Sequence, residues 1–398
     1  MASMKVIEGS MAVAEAAKAC RPAVVAAYPI TPQTHIVEDI SQMIADGDMP
    51  NCEYVRTESE FGAASMIQGA EAAGSRSFSA TSSQGAVLMY EVLFAIAGLR
   101  LPCVMVMANR SVSAPISIWN DHQDAISARD NGWIQLWAED AQEAADLVLQ
   151  AYKIGEDHRV LLPVMVNMDG FMLTHVYEPV ELYDQKTVDE FLPSYVPLYA
   201  LDPKNPVTMG MLAQPEVYTE ARYMVHRAQI RAKEVIEEVA LDFKKKFGRY
   251  AGGLIDTYRM DDAEVVLIAM GGVIGTLKDA VDEMRGEGMP VGIVKVRSYR
   301  PFPVEALRAA LKGVKAICVI DRDISMGMEG ALFTDLKAAL YAKSDAEILG
   351  FVAGLGGRDI TIEDFKAMAR KGFSKARGEK VSEMEWHNLD TDILPEGI

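Results

Sequence analysis

Cys103-Val104-Met105-Val106-Met107-Ala108-Asn109-Arg110 is apolar until its last two residues, where it turns abruptly polar. A strand with one wet face alternates apolar and polar side chains, so a run that is apolar throughout is buried on both faces, as in a parallel sheet covered by crossover helices. The reading extends outward from there. β-rich runs at 23–27, 53–56, 77–81 and 160–167 are separated by stretches of helical period at 33–44, 58–73, 84–98 and 141–155. A second alternation follows, with strands expected at 264–270, 291–296, 316–321 and 347–352 and helices at 274–285, 303–311 and 329–341. The fold class is therefore α/β, with two open parallel-sheet domains. Between them Pro179, Pro193, Pro197, Pro203, Pro206 and Pro215 break the pattern, ahead of a long charged helix expected at 216–247. The domains are then 1–178 and 261–380, joined by a linker arm at 179–260. An acidic tail, 381–398, lacks apolar periodicity and would lie across a neighbouring surface.

The 398 residues are 50% hydrophobic and 24% charged, which excludes a disordered or low-complexity chain. Lysine plus arginine is 39 against 57 aspartate plus glutamate, a net charge of −18. Such a chain repels phosphate backbones and anionic lipid, so neither nucleic acid nor membrane is an expected partner. No apolar run approaches the ~18 residues that span a bilayer, and the first residues have no secretory pattern. Cys20, Cys52, Cys103 and Cys318 are far apart with no CxxC spacing. They read as free thiols in a reducing cytoplasm and not as zinc or iron–sulfur ligands, and no metal site is expected.

Ligands of open α/β sheets gather beyond the carboxyl ends of the strands, so those loops carry the functional reading. Tyr28-Pro29-Ile30-Thr31-Pro32 holds a hydroxyl between two stiffening prolines, which suits a small polar substrate and equally suits a helix start capped by Thr31. Glu58-Ser59-Glu60-Phe61-Gly62-Ala63 puts two carboxylates before small residues. Glu60 there could bond a heteroaromatic nitrogen or simply complement a helix dipole. Thr81-Ser82-Ser83-Gln84-Gly85 offers hydroxyls and N–H groups at another helix start. Arg110 stands where the sheet meets its crevice and can fork onto a carboxylate, or lie at the surface. The loop beyond it runs through Trp119-Asn120-Asp121-His122, long and polar enough to be functional or interfacial, and residues 123–129 would meet a neighbouring subunit.

Gly271-Gly272-Val273-Ile274-Gly275 lacks dinucleotide spacing, and Gly354-Leu355-Gly356-Gly357 reads as a turn. The six scattered histidines do not form a ligand set, and the 23 methionines read as core filling.

Taken in order, the loops resemble the α subunits of pyruvate:ferredoxin oxidoreductases, within the thiamine-diphosphate-dependent 2-oxoacid:ferredoxin oxidoreductase family. Arg300-Pro301-Phe302-Pro303 and Gly350-Phe351-Val352-Ala353 extend the resemblance into the second domain. It implies a pyrimidine-type thiamine diphosphate-binding domain followed by a transketolase C-terminal-like domain. Carried over by position, Glu60 contacts the aminopyrimidine and favours its imino tautomer. Thr31 and Arg110 hold the 2-oxoacid carboxylate, and Pro29 and Ser83 line the cofactor site. The implied reaction is the reversible oxidative decarboxylation of pyruvate with coenzyme A to acetyl-coenzyme A and carbon dioxide, electrons passing to ferredoxin.

No GDG-type diphosphate motif accompanies these residues, and Asp46-Gly47-Asp48 does not fit one. The resemblance therefore implies that thiamine diphosphate is shared with a β subunit, and that magnesium and the [4Fe-4S] clusters sit on β, γ and δ partners. Three alternatives remain: a relative acting on 2-oxoisovalerate, 2-oxoglutarate or oxalate, a non-catalytic assembly subunit, and a thiamine enzyme passing its acyl group to lipoamide. A dicarboxylate such as oxalate would call for a second cation where Thr31 stands.

Overall fold

The computed structural model describes residues 3–395, so residues 1–2 of the first expected domain and 396–398 of the expected tail lie outside the described residues. In chain order the first part forms β1 (Ser3–Glu8), α1 (Gly9–Ala19), β2 (Val24–Ala27), α2 (Thr34–Ala45), β3 (Glu53–Arg56), α3 (Glu60–Ala72), β4 (Ser77–Thr81), α4 (Ser83–Leu88), α5 (Tyr90–Gly98), β5 (Val104–Asn109), α6 (Gln123–Ser127), β6 (Ile134–Trp137), α7 (Ala141–Gly155), β7 (Val164–Asp169), β8 (Tyr177–Leu182), α8 (Gln185–Phe191) and α9 (Pro215–Phe247). There follow β9 (Ile255–Tyr258), β10 (Val265–Ala269), α10 (Val273–Gly286), β11 (Val291–Val296), β12 (Ser298–Arg300), α11 (Val304–Ala310), β13 (Ala316–Asp321), α12 (Ala331–Leu340), β14 (Glu347–Val352), α13 (Ile362–Ala376) and β15 (Met384–Trp386).

The chain folds as two compact units, one of residues up to Asp256 with Val296–Pro303, the other of Thr257–Lys295 with residues from Val304 on. The first holds a seven-stranded sheet in the order β12-β6-β7-β5-β4-β2-β3. Its neighbours are parallel, except that β12 runs antiparallel to β6. Every residue of β4, β5, β6 and β7 is buried, as the unbroken apolar run at 103–108 requires. α7 is buried along most of its length, and Tyr152 on it donates to the Ser77 carbonyl at 2.8 Å. Strand β7 begins at Val164, later than the expected 160, because Pro163 has no N–H to give to the ladder.

The division differs from the expected one, since the arm at 179–260 is largely part of the first unit. β8 pairs antiparallel with β1. α9 turns a buried stripe of Val225, Ala228, Ala232, Val235, Val239 and Phe243 inward. Phe243 packs against Phe191 and Phe247 with ring centroids 5.4 and 4.4 Å apart. Arg249 forks onto Asp146 at 2.8 and 2.7 Å. Arg297, itself buried, reaches Glu143, Gln150 and the Gly253 carbonyl. Prolines interrupt the elements here, but the apolar stripe still has to find a core.

The second unit carries a six-stranded sheet in the order β15-β14-β13-β10-β11-β9. Its strands β10, β11, β13 and β14 match the runs expected near them. α13 was not expected, although Thr361 and Asp364 form a reciprocal capping box that starts it. Part of the tail, expected to lie across a neighbouring surface, adds β15 in parallel to β14. Among the described residues no helix is long and apolar enough to cross a membrane.

One buried acid in the first unit makes the fold sensitive to pH. Glu71 on α3 accepts from the Ser77 amide and hydroxyl, both at 2.8 Å, and its other oxygen has no partner. Burial pushes its carboxyl up to about 8. The folded state therefore keeps a proton that the unfolded chain releases near 4.5, so stability falls as pH rises from 4.5 to about 8. Glu71→Gln keeps an acceptor and cannot ionise, so urea denaturation across that range is expected to give a flatter profile than the parent. An equal slope in both proteins would mean that Glu71 is ionised in the fold.

Candidate active site

The sheet order places a crevice at a particular point. From β2 the chain crosses outward to β3 and then back over β2 to β4, after which successive strands build the other way. β2 and β4 are therefore the neighbours at which the winding reverses, and the gap beyond their carboxyl ends is where such sheets bind ligands. The loops after β2, β3, β4 and β5 carry Thr31, Glu60, Ser83 and Arg110 respectively.

Glu60 is the first residue of α3, behind the N-cap Ser59, whose hydroxyl accepts from the Gly62 amide at 3.1 Å. Its side chain is only 7% exposed, and among the described residues none donates a hydrogen bond to its carboxylate. A helix-dipole role is compatible with this position but leaves the burial unexplained. Gly62, one of the small residues that follow, faces the Glu58 side chain. The glycine against Glu60 is Gly85, where an added Cβ would lie 2.8 Å from Glu60 Oε1 and 2.6 Å from Thr81 Oγ1. The hydroxyls of Thr81 and Ser82 are buried without hydrogen-bond partners. A buried carboxylate, two idle hydroxyls and a missing side chain make a polar cradle in need of an outside donor, and these residues fit an amino-substituted heteroaromatic ring.

Thr31 and Arg110 come together. The Arg110 guanidinium donates from Nη1 to the Thr31 carbonyl at 3.0 Å and from Nε to the Ser117 carbonyl at 2.8 Å. Nη2 has no protein acceptor among the described residues, leaving one edge of a fixed fork for a ligand. Burial lowers the Arg110 pKa from its ordinary value, and the charge of Asp124 opposes that shift. Thr31 is exposed and does not cap α2, which starts at Thr34 after Gln33. Gln33 ties the loop down, accepting from the Ile30 amide at 3.2 Å and donating to the Ala80 carbonyl at 2.9 Å. Pro29, also exposed, stands at the start of this loop.

Ser83 does not offer its hydroxyl to a cofactor. It is fully buried, and its Oγ donates to the Ser111 carbonyl. Its amide and that of Arg110 both donate to Asp124 Oδ2 at 2.9 Å, while Asn109 Nδ2 donates to Oδ1 at 3.0 Å. Burial pushes the Asp124 carboxyl up to about 6 against these hydrogen bonds. Nearby, His122 Nε2 lies 2.8 Å from Asp169 Oδ1, its ring 4.3 Å from that of Trp137. Residues 123–129, expected at a subunit contact, fold largely into their own chain, with Asp124, Ala125, Ile126 and Ala128 buried. Sequence reasoning missed Asp124, Gln33 and Gly85 as working residues; only Gly85, closing a run of hydroxyls, carried a local signal.

A family model described as pyruvate flavodoxin/ferredoxin oxidoreductase, thiamine diphosphate-binding, matches residues 15–241, and the pyruvate:ferredoxin oxidoreductase core domain II matches residues 263–365. The chain is 52% identical to pyruvate synthase subunit PorA of Methanosarcina barkeri, with 98% of each chain covered. It is 51% identical to the PorA of Pyrococcus abyssi, with 98% of this chain and 99% of that one covered. With ketoisovalerate oxidoreductase subunit VorA of Pyrococcus horikoshii the identity is 46%, over 97% and 98% of the two chains. Among solved structures, a 2-oxoglutarate:ferredoxin oxidoreductase from Magnetococcus marinus, with 2-oxoglutarate, coenzyme A and succinyl-CoA bound, superposes with a TM-score of 0.69 at 18% identity. The match covers 93% of this chain and 65% of that one.

Removing the Asp124 carboxylate strands two backbone amides in the interior. Asp124→Ala is expected to cost about 3 kcal/mol or more in thermal or urea unfolding, from hydrogen bonds to a charged acceptor worth roughly 1.5–3 kcal/mol each. A midpoint equal to the parent's would show that the two loops hold themselves.

Proposed function

The chain belongs to the pyruvate flavodoxin/ferredoxin oxidoreductase family, and on that premise we propose that it is the α subunit of a pyruvate synthase. The reaction is pyruvate, coenzyme A and oxidised ferredoxin to acetyl-coenzyme A, carbon dioxide and reduced ferredoxin, and its reverse. The observation that carries this reading is the buried Glu60 carboxylate, without a donor among the described residues, at the reversal point of the sheet. Thiamine diphosphate, when bound, supplies an acidic carbon that adds to the 2-oxoacid and accepts the electron pair released with carbon dioxide.

Within this chain Glu60 holds a proton shared with the ring nitrogen, because a carboxylate shielded from water favours that arrangement over separated charge. Gly85, lacking a side chain, lets the Glu60 carboxylate and the Thr81 hydroxyl lie close against its backbone. Arg110 binds the substrate carboxylate through the edge not committed to Thr31 and Ser117, and its fixed position costs no reorganisation when the carboxylate departs. The Thr31 hydroxyl orients the same group, and Pro29 limits the conformations of its loop.

The four cysteines are each buried, and burial raises their thiols, which suits packing in a reducing cytoplasm and not cluster ligation. Among the described residues no group of three or more His, Cys, Asp or Glu is placed to hold a metal ion. In this reading, as the family resemblance implies, the diphosphate grip, magnesium and the [4Fe-4S] clusters belong to β, γ and δ partners, with ferredoxin as the external acceptor.

Two variants test the site in the reconstituted complex. Glu60→Gln is expected to keep the parent's iron content and lose pyruvate-dependent dye reduction by at least about 100-fold. Full turnover would remove Glu60 from the chemistry. For Arg110→Ala, kcat/KM for pyruvate should fall about 10- to 100-fold, the worth of one charge-assisted contact. If a substrate panel then shows parent and variant equal on pyruvate, Arg110 does not bind the carboxylate.

A further inference from the structure

The sheet of the first unit also has an amino end, on the side away from Glu60 and Arg110. There, between the turns that lead into β5 and β7, the residues around Tyr195 and Tyr199, and the middle of α9, lies a cavity of about 390 Å³. That volume is in the range that encloses small organic ligands. Arg100, Arg159 and Arg231 all line it.

These three guanidiniums are not equivalent. Arg159 is neutralised, reaching Asp157 at 2.8 Å and Glu238 at 2.6 Å. Arg100 makes no ion pair among the described residues. It donates from Nε to the Leu161 carbonyl at 2.9 Å and from Nη2 to the Val160 carbonyl, which leaves Nη1 without a protein acceptor. Arg231, exposed on α9, has neither an ion pair nor a hydrogen bond among the described residues. Burial and the charge of Arg231 both depress Arg100 below its ordinary value. Two uncompensated cations thus share one cavity in a chain whose net charge is −18. Like charges held together without a counter-ion raise the free energy of the fold unless an anion joins them.

Backbone strain is concentrated at the same place. Arg100 has φ 62° and Leu161 φ 45°, a left-handed conformation that costs a bulky residue about 1–3 kcal/mol. The hydrogen bond from Arg100 to the Leu161 carbonyl ties the two strained turns together and fixes the guanidinium before any ligand arrives. Apart from His158, whose Nε2 lies 3.2 Å from the Val196 carbonyl, the rest of the lining is apolar or phenolic, including Leu198, Met224, Tyr195 and Tyr199. Two guanidiniums match a phosphate dianion better than a single carboxylate, and the remaining wall suits an apolar or aromatic body.

We propose that this cavity is a second binding site, specific for a small organic phosphate whose phosphate bridges Arg100 and Arg231 and whose body lies on the tyrosine and methionine wall. It differs from the substrate site in position and in the ligand it takes.

The test uses the assembled complex and isothermal titration calorimetry with AMP and phenyl phosphate as probes, inorganic phosphate and adenosine as controls, and saturating coenzyme A present throughout to block any nucleotide site on a partner. At least one probe is expected to bind tenfold or more tighter than either control. Arg231→Gln should weaken that binding at least tenfold and Arg231→Lys only slightly, while pyruvate turnover without the probe stays at the parent's level in both. Equal binding of the organic and inorganic phosphates, absence of binding at millimolar probe, or unchanged binding to Arg231→Gln would each overturn the proposal.

Discussion

A carboxylate sealed from water must be met by donors of its own chain, and Asp124 meets this constraint by drawing two loops together. Its Oδ2 takes the amide of Ser83, which follows β4, and the amide of Arg110, which follows β5. Neither loop can move independently without stranding a polar group in the interior, at a cost of about 1–3 kcal/mol for each group. Arg110 then passes the constraint on, because its guanidinium holds the carbonyl of Thr31 beyond β2. Three loops from three strands are fixed by one acid and one base. The sheet brings their starting points together, and the polar chain from Asp124 to Arg110 to Thr31 sets their geometry.

The contrast with Glu60 follows from the same principle. Asp124 and Glu71 both receive hydrogen bonds from the chain, whereas Glu60 is buried and receives none among the described residues. A fold does not ordinarily bury a carboxylate in that way, and the proposed function gives the group a partner that the described residues do not supply. The unpartnered hydroxyls of Thr81 and Ser82 beside Gly85 belong to the same set. The hydrogen bonds that Asp124 receives build the frame of the site, whereas Glu60, Thr81 and Ser82 take no part in it. Ser83 belongs to that frame despite its position in a serine-rich loop, because its hydroxyl is committed to Ser111.

What the sequence made legible follows this division. Strands buried on both faces, such as β5 and β10, appear as unbroken apolar runs, and nearly all the crossover helices of the two sheets can be placed to within a few residues. Thr31, Glu60 and Arg110 are legible as candidates because they follow β2, β3 and β5 at the carboxyl end of the sheet. Strand β6 is less legible because Gln135 interrupts its apolar run, and that buried residue donates to the Ala125 carbonyl at 2.8 Å. Asp124 sits in a stretch, Asp121-His122-Gln123-Asp124, that looks like a solvated loop. Only the tertiary fold reveals that amides from two other loops converge on it. The arm was taken for a linker on the evidence of its prolines, although the stripe from Val225 to Phe243 already had the period of a helix seeking a core. Punctuation by proline limits elements, but burial decides domains.

The rim of the site supports the reading that another chain completes it. Directly beside Glu60, Phe61 is 42% exposed; on α4, after Ser83, Val87 and Leu88 are 46% and 50% exposed; beyond Arg110, Ile116 and Trp119 are 78% and 54% exposed. Scattered apolar residues on a surface need no explanation, but these cluster in the loops that carry the site residues. The electrostatic argument points the same way. In the proposed function Arg110 and Glu60 gain their full effect only where water is excluded, yet Thr31, whose carbonyl Arg110 holds, is open to solvent. A site that depends on low dielectric and lies beneath an uncovered apolar rim is half of a structure, and a second polypeptide seated on that rim would bury the hydrophobic side chains and dry the charges in one step.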